Sequence, residues 1–176
     1  PGFTGDRGDA QSIKNSLKNC KVIFFDYNTH LKKPINEIAE KLKEFIDGLH
    51  LRKGEKVSLI GLSAGGIIAD YYLKFIDNKR TDKFISVFSP FKGSYLAGFF
   101  KSKGLQQLRT DSIFLKKLRK KKLKNIKIRN IWSWFDPIVP GTSGKGVNPK
   151  HTYFFMHGFV QFWPPVVNEI KKFFEK

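Results

Sequence analysis

The chain has 176 residues, 40% of them hydrophobic, and its 33 basic against 15 acidic side chains give a formal net charge of +18. This length and apolar content are typical of one domain, over residues 1–176, with a single core between a sheet and its helices. One cysteine excludes an internal disulfide. No group of Cys and His residues has zinc-like spacing, so no metal is expected.

The charge would attract nucleic acid, anionic lipid or acidic substrates. The basic residues are spread along the chain without a nucleic-acid-binding motif, so nucleic acid is not an expected partner. No apolar run reaches the roughly 18 residues of a membrane span, and the opening PGFTGDRGDA is unlike a signal peptide. The sequence as given therefore predicts a soluble protein and favours the cytoplasm, while its compartment and oligomeric state stay open.

Short apolar runs alternate with helical spacings of apolar residues along the chain. In chain order the predicted elements are strand 21–27, a helix from Pro34 to about Gly48, strand 57–62, a helix from Ala64 to about Asp77, strand 83–88, helix 112–121, strands 126–134 and 151–156, and helix 165–174. This alternation predicts an α/β fold, with a mostly parallel sheet covered by helices on both faces. The irregular stretch 89–126 is long enough for a small cap.

A G-x-S-x-G motif, Gly61-Leu62-Ser63-Ala64-Gly65, lies between the strand at 57–62 and the following helix. In a nucleophile elbow the serine occupies a strained turn, and flanking glycines leave space where a β-carbon would collide with neighbouring elements. The backbone N–H of Ala64 has no helical acceptor, so it can donate to an oxyanion. Ser63 is therefore the predicted nucleophile, the alternative being a chance glycine-rich turn.

A serine nucleophile needs a base, and in this elbow the chain order is serine, acid, histidine. His30 and His50 precede the serine and fail that order. His157 follows the predicted strand 151–156 at its carboxyl end, whereas His151 opens the strand at the opposite edge of the sheet. His157 is thus the predicted base, unless it is an ordinary loop histidine.

The orienting acid is predicted to be Asp136, which follows the strand at 126–134 and precedes a proline that would fix its turn. It could otherwise be a turn residue only. Asp82 and Asp111 begin elements and are more typical of turns or caps. The turn-rich opening segment suggests the backbone N–H of Phe3 as the second oxyanion donor.

Bulky apolar side chains on segments beside these loops are predicted to line a pocket for an acyl chain, although some will belong to the core. They are Phe91, Tyr95, Leu96, Phe99, Phe100, Val139 and Phe159.

The motifs together resemble the small bacterial lipases and esterases of the α/β-hydrolase superfamily, over nearly the whole chain. The elbow GLSAGG, the segments SPFKGSYLA and LRTDSIFLKKL, the acid loop WSWFDPIVP and the tail HGFVQFWPPVVNEIKKFF carry the likeness. The resemblance implies an acylglycerol or simple carboxylic ester substrate, cleaved through an acyl-enzyme without a cofactor. Two departures are Pro1-Gly2 where the family usually has His-Gly, and the absence of a strand leading into that glycine. We therefore expect an N-terminal segment to be missing.

Two alternative functions stay open, and a contact with membranes is compatible with any of them. An acyltransferase would pass the same acyl-enzyme to an acceptor other than water. A non-catalytic module could bind polyanions through KKLRKKKLK at 116–124, although such a run is more often the solvated face of a helix. An apolar cap patch of Phe99, Phe100 and Leu105, ringed by lysines, would suit contact with an anionic membrane surface.

Overall fold

The computed structural model describes residues 11–28, 30–152, 157 and 163–175. In this part of the chain one parallel sheet has four strands in the order β1-β2-β3-β4. The strands are β1 Val57–Leu62, β2 Thr81–Val87, β3 Lys127–Trp132 and β4 Pro149–His151. Parallel neighbours require crossovers, so the carboxyl ends of the strands meet at one edge of the sheet.

Helices cover both faces of this sheet, as the alternation of patterns predicts. They are α1 Gln11–Ser16, α2 Ile35–Asp47, α3 Ala64–Tyr71, α4 Lys103–Gln107, α5 Ile113–Lys120 and α6 Pro164–Glu175, with a π-helical turn at Tyr72–Ile76 and 3-10 turns at Leu96–Phe99 and Gly141–Gly144. Among the described residues no helix combines the length and apolar character needed to cross a bilayer.

Two apolar clusters hold the layers together. Phe84 and Ile85 are adjacent in β2 and face opposite sides of the sheet, because side chains alternate along a strand. Phe84 packs with the buried stripes of α2, α3 and α5. Ile85 packs with α1 and α6 on the other side. The result is a sheet between two helical layers, which confirms the predicted α/β fold class.

The predicted strand at 21–27 is wrong for this structure. None of these residues has strand pairing, although Phe25 and Tyr27 pack against one core cluster and Val22 against the other. A cleft of about 810 Å³ separates the segment from β1. Apolar side chains therefore satisfy the packing that the sequence indicates, but the backbone ladder that defines a strand is not formed.

The observed strand β4 corresponds to the predicted strand 151–156 and begins earlier than predicted. It spans Pro149–His151, and residues 153–156 of the predicted strand lie outside the described residues. His151 pairs with Trp132, the last residue of β3, so it lies level with the carboxyl ends of the strands. The expectation that His151 lies at the edge of the sheet opposite to Ser63 is wrong. β4 pairs with the end of β3 through residues 149–151, which precede the apolar residues that were predicted to form the strand.

Candidate active site

Ser63 occupies a sharp turn between β1 and α3, with φ 50° and ψ −123°. A positive φ at a residue with a β-carbon costs on the order of 1–3 kcal/mol and persists only where the surroundings enforce it. Here the N–H of Ser63 donates to the carbonyl of Val87 at 2.8 Å, which ties the turn to β2. The strained backbone directs the serine hydroxyl out of the sheet edge, as the motif predicts.

Close backbone packing explains the glycines of this turn. A β-carbon on Gly61 would lie 2.4 Å from the Cα of Gly66, and one on Gly66 would lie 2.0 Å from the Oγ of Ser89. Contacts this short are excluded, so α3 can pack against β1 and against the segment after β2 only if both residues are glycine. The motif predicts this role for Gly61, which the clash confirms, and Gly66 is a further glycine that the packing requires.

The three residues predicted to form the catalytic group come together, although 94 positions separate Ser63 from His157. The Nε2 of His157 lies 2.8 Å from the Oγ of Ser63, and its Nδ1 lies 2.6 Å from the Oδ2 of Asp136. An ionised carboxylate only accepts hydrogen bonds, so Nδ1–H donates to Asp136 and Nε2 accepts from the serine hydroxyl. This tautomer is the one in which the imidazole can take the serine proton.

The residue Asp136 is buried, with a relative exposure of 4%. Its Oδ1 accepts from the backbone N–H groups of Ile138 at 2.8 Å and Val139 at 2.9 Å, which leaves Oδ2 for the imidazole. A buried charge is tolerated only where hydrogen bonds replace its water. These two hydrogen bonds thus stabilise the negative charge of Asp136 and hold its Oδ2 toward the imidazole.

The first turn of α3 begins beside the serine hydroxyl. Ala64 is the first residue of the helix and is 1% exposed, and the helix offers no acceptor for its N–H. The positive end of the helix dipole adds to the attraction for an anion at this point. Phe3, the second predicted oxyanion donor, lies outside the described residues.

The predicted pocket residues separate into two groups. Tyr95, Leu96, Phe99 and Phe100 are exposed, with relative exposures of 71%, 43%, 83% and 42%. Phe91 and Val139 are instead buried, at 7% and 2%. Phe91 packs in the core cluster of α2 and α3 and lines a cleft that contains none of Ser63, Asp136 and His157. Phe159 lies outside the described residues.

Side-chain hydrogen bonds join the segment after β2 to the acid loop. The hydroxyl of Ser94 donates to the carbonyl of Ile138 at 2.5 Å, and that of Ser143 donates to the carbonyl of Gly93 at 2.6 Å. Both serines are buried. They connect the exposed 3-10 turn at Leu96–Phe99 to the loop that carries the acid.

Trp134 and Phe135 are surface residues of the site that were not predicted from the sequence. They are 56% and 59% exposed and directly precede Asp136. The signal was present in WSWFDP, where aromatic residues continue beyond the end of a strand into a loop. The Trp134 ring packs edge-on against the buried Trp132, with 5.2 Å between ring centres. Because Trp134 and Phe135 both stay more than half exposed, they are candidates for contact with substrate or surface.

A family model described as lecithin:cholesterol acyltransferase matches residues 19–148 of the chain. The matched range contains Ser63 and Asp136 and ends before His157. A comparison with curated proteins finds no match.

Solved structures share the fold at low sequence identity. Lipase B of Aspergillus fumigatus superposes with a TM-score of 0.75 at 17% identity, over 92% of this chain and 46% of that chain. A gene product of Listeria innocua gives 0.74 at 14%, over 99% and 91%. An esterase from Exiguobacterium antarcticum gives 0.63 at 16%, over 97% and 90%. At these identities the likeness establishes the α/β-hydrolase fold and no more.

Proposed function

Since the chain belongs to the lecithin:cholesterol acyltransferase family, we propose that it cleaves carboxylic esters, lipid esters among them, through an acyl-enzyme on Ser63. The observation that carries the proposal is the unbroken line of hydrogen bonds from Asp136 through His157 to Ser63, at 2.6 and 2.8 Å. The strained φ of Ser63 and the free helix start at Ala64 add the geometry that acyl transfer needs.

In the first half-reaction, the Nε2 of His157 takes the proton of the Ser63 hydroxyl as its oxygen bonds to the ester carbonyl carbon. The carbonyl electrons move to oxygen, and the N–H of Ala64 donates to this oxyanion, with Phe3 as the proposed second donor. The charge of Asp136 stabilises the imidazolium. His157 then protonates the alcohol oxygen as the carbon–oxygen bond breaks, and the acyl group remains on the serine.

In the second half-reaction, water takes the place of the alcohol. His157 removes a proton from the water as its oxygen attacks the acyl carbon, and it returns the proton to the Ser63 oxygen as the acid leaves. The side chain of His157 is 5% exposed and that of Asp136 is 1% exposed. This burial strengthens their interaction, because the local dielectric is lower than that of water.

The test is covalent labelling with a fluorophosphonate, in which the serine oxygen displaces fluoride from phosphorus. We expect one label per chain, and peptide mass analysis should locate it on Ser63. Ser63→Ala should remove the label, whereas Ser58→Ala, at a serine of β1 whose hydroxyl donates to Asp82, should keep it. Absence of labelling in folded protein, or a label on another serine, would overturn the proposal.

Acyl transfer to another acceptor is the second candidate, and the match to the lecithin:cholesterol acyltransferase model favours it. The chemistry up to the acyl-enzyme is the same, because only the group that attacks the acyl carbon differs. An alcohol offered beside water separates the two. A new ester formed in preference to free acid would make transfer the main reaction.

We further propose that the site faces an anionic lipid surface through an apolar patch, defined as Tyr95, Leu96, Phe99 and Phe100. The patch lies on the 3-10 turn that the buried serines join to the acid loop. Lys101 and Lys103 follow it directly and are exposed. Leu105, which the sequence analysis included, is only 7% exposed and belongs to the core, so that part of the prediction is wrong.

Vesicle sedimentation tests this docking. We expect binding to anionic but not neutral vesicles, lost at high salt, because each basic residue near the surface contributes about 1 kcal/mol before screening. Phe99→Ser with Phe100→Ser should abolish binding, and Lys101→Gln with Lys103→Gln should weaken it. The matched control is Ile23→Ser, at a 45% exposed residue away from the patch. Equal binding to both vesicle types would contradict the proposal.

A further inference from the structure

A second cleft, of about 500 Å³, opens on the α3 side of the sheet and contains none of the three catalytic candidates. Its cause is the short fourth strand. β4 pairs only with residues 130–132 of β3, so the preceding half of β3 has no strand partner beyond it among the described residues. The cleft lies between that exposed half, the end of α5 and the loop at 145–147.

The floor of this cleft is mostly apolar, although the buried amide of Asn130 also lines it. Phe84 and Phe91 are 1% and 7% exposed, and Leu123 and Ile128 are partly buried beside them. Val147 lies at the mouth and is 59% exposed. A cleft of this size falls within the range of ligand sites, which are about 300–1,000 Å³ and mostly apolar. The floor therefore suits a short hydrocarbon chain.

The rim of the cleft is strongly basic. Among the described residues that line it, the one acid is Asp70, which forms an ion pair with Lys74 at 2.7 Å, and both side chains are less than 10% exposed. Burial raises the pKa of Asp70 to about 6, although Lys74 opposes this shift. The carboxyl is still mostly ionised at pH 7, so Asp70 and Lys74 together carry almost no net charge. The remaining charges are all positive: Lys92, Arg119, Lys121, Lys122 and Lys145.

The basic side chains differ in what they already bind. Arg119 donates to the carbonyl of Phe91 at 2.9 Å, and the Lys121 ammonium lies 4.6 Å from the centre of the Phe75 ring. Lys122 and Lys145 are exposed and have no acidic partner in the described part of the chain. These two lysines can turn to an anion at the mouth without breaking an existing contact.

We propose that this cleft binds an amphiphilic carboxylate, with its alkyl chain on the apolar floor and its anionic group between Lys122 and Lys145. The combination of floor and rim excludes simpler ligands. A small inorganic anion would leave the floor uncovered, and a lipid headgroup held in a bilayer would bring only polar atoms to it. A free monomer with one charged end and a short chain satisfies both parts.

Carboxylates of this kind are the acid products of ester cleavage, so the cleft would hold product away from the serine. That connection rests on the proposed function, whereas the binding itself does not. If Ser63 is unreactive and the carboxylate still binds, only the connection fails. If Ser63 is labelled and the carboxylate does not bind, only the cleft proposal fails.

The experiment is a titration of the whole protein with decanoate below its micelle concentration, followed by methyl resonances in NMR spectra. We expect saturable shifts at Leu123, Ile128 and Val147. Decanol, which lacks the charge, and inorganic phosphate, which lacks the chain, should bind at least about tenfold more weakly. Decyltrimethylammonium, which carries the opposite charge, should not shift these methyl groups.

Two pairs of substitutions separate a specific site from the general charge of the chain. Lys122→Gln with Lys145→Gln should raise the dissociation constant for decanoate at least about fivefold, as expected for two exposed charge contacts. Lys116→Gln with Lys120→Gln removes the same charge at residues outside the cleft lining. This pair should change the dissociation constant for decanoate by less than about twofold. Equal effects of the two pairs, or shifts confined to residues outside the cleft, would overturn the proposal.

Discussion

Replacing Ser63 with alanine is expected to lower kcat for ester hydrolysis by about 10⁶-fold, the scale found when a triad serine is removed. The hydroxyl is the atom that would form the acyl-enzyme, and in the described part of the chain it is the one side-chain partner of the Nε2 of His157, at 2.8 Å. A residual acceleration of about 10³-fold over the uncatalysed reaction should remain, because the helix start at Ala64 can still stabilise an oxyanion.

The fold should survive this change. The serine hydroxyl contributes one hydrogen bond, worth about 1 kcal/mol in net stability. Alanine also keeps the strain of the positive φ. Ser63→Gly removes the same hydroxyl but relieves that strain, so it should be inactive and more stable than Ser63→Ala by about 1 kcal/mol. Urea unfolding measures the free energy of unfolding of each variant, and the kinetic assay measures its turnover. An alanine variant that keeps turnover within tenfold of wild type would show that another nucleophile acts.

Much of the site could be predicted because its signals are local. The G-x-S-x-G spacing identifies the strand-to-helix turn by itself, and the chain order leaves few partners for Ser63. His157 was selected partly for a wrong reason, since His151 also lies at the carboxyl edge of the sheet. What distinguishes the two is distance to the serine, which depends on the path of the chain after β4. No local pattern carries that information.

The fold departs from prediction where a strand needs a partner. The apolar run at 21–27 has the composition of a strand, yet composition cannot show whether a neighbouring backbone is within hydrogen-bonding distance. β4 illustrates the same limit, because its pairing with β3 covers three residues that precede the apolar run. The second cleft, with Lys122 and Lys145 at its mouth, results from that short pairing. Sequence patterns therefore could not predict it either.

Replacing Asp136 with asparagine is the sharper test of mechanism, because the turn should remain intact. The asparagine Oδ1 can still accept from the N–H groups of Ile138 and Val139. Its Nδ2 would face the Nδ1 of His157, and two donors cannot share one hydrogen bond. The imidazole proton should therefore move to Nε2. That nitrogen would then donate to Ser63 and could no longer take its proton.

We expect kcat to fall about 10⁴-fold, with a small change in KM, as for other triads held in the wrong tautomer. Nitrogen NMR of His157 should show protonation at Nε2 rather than Nδ1, a change that a purely structural role would not produce. Asp82→Asn is the matched control, because Asp82 is a partly exposed carboxylate that accepts from Ser58 and has no contact with His157. A variant that retains kcat within tenfold, or that keeps the Nδ1 proton, would mean that the acid orienting His157 is not Asp136.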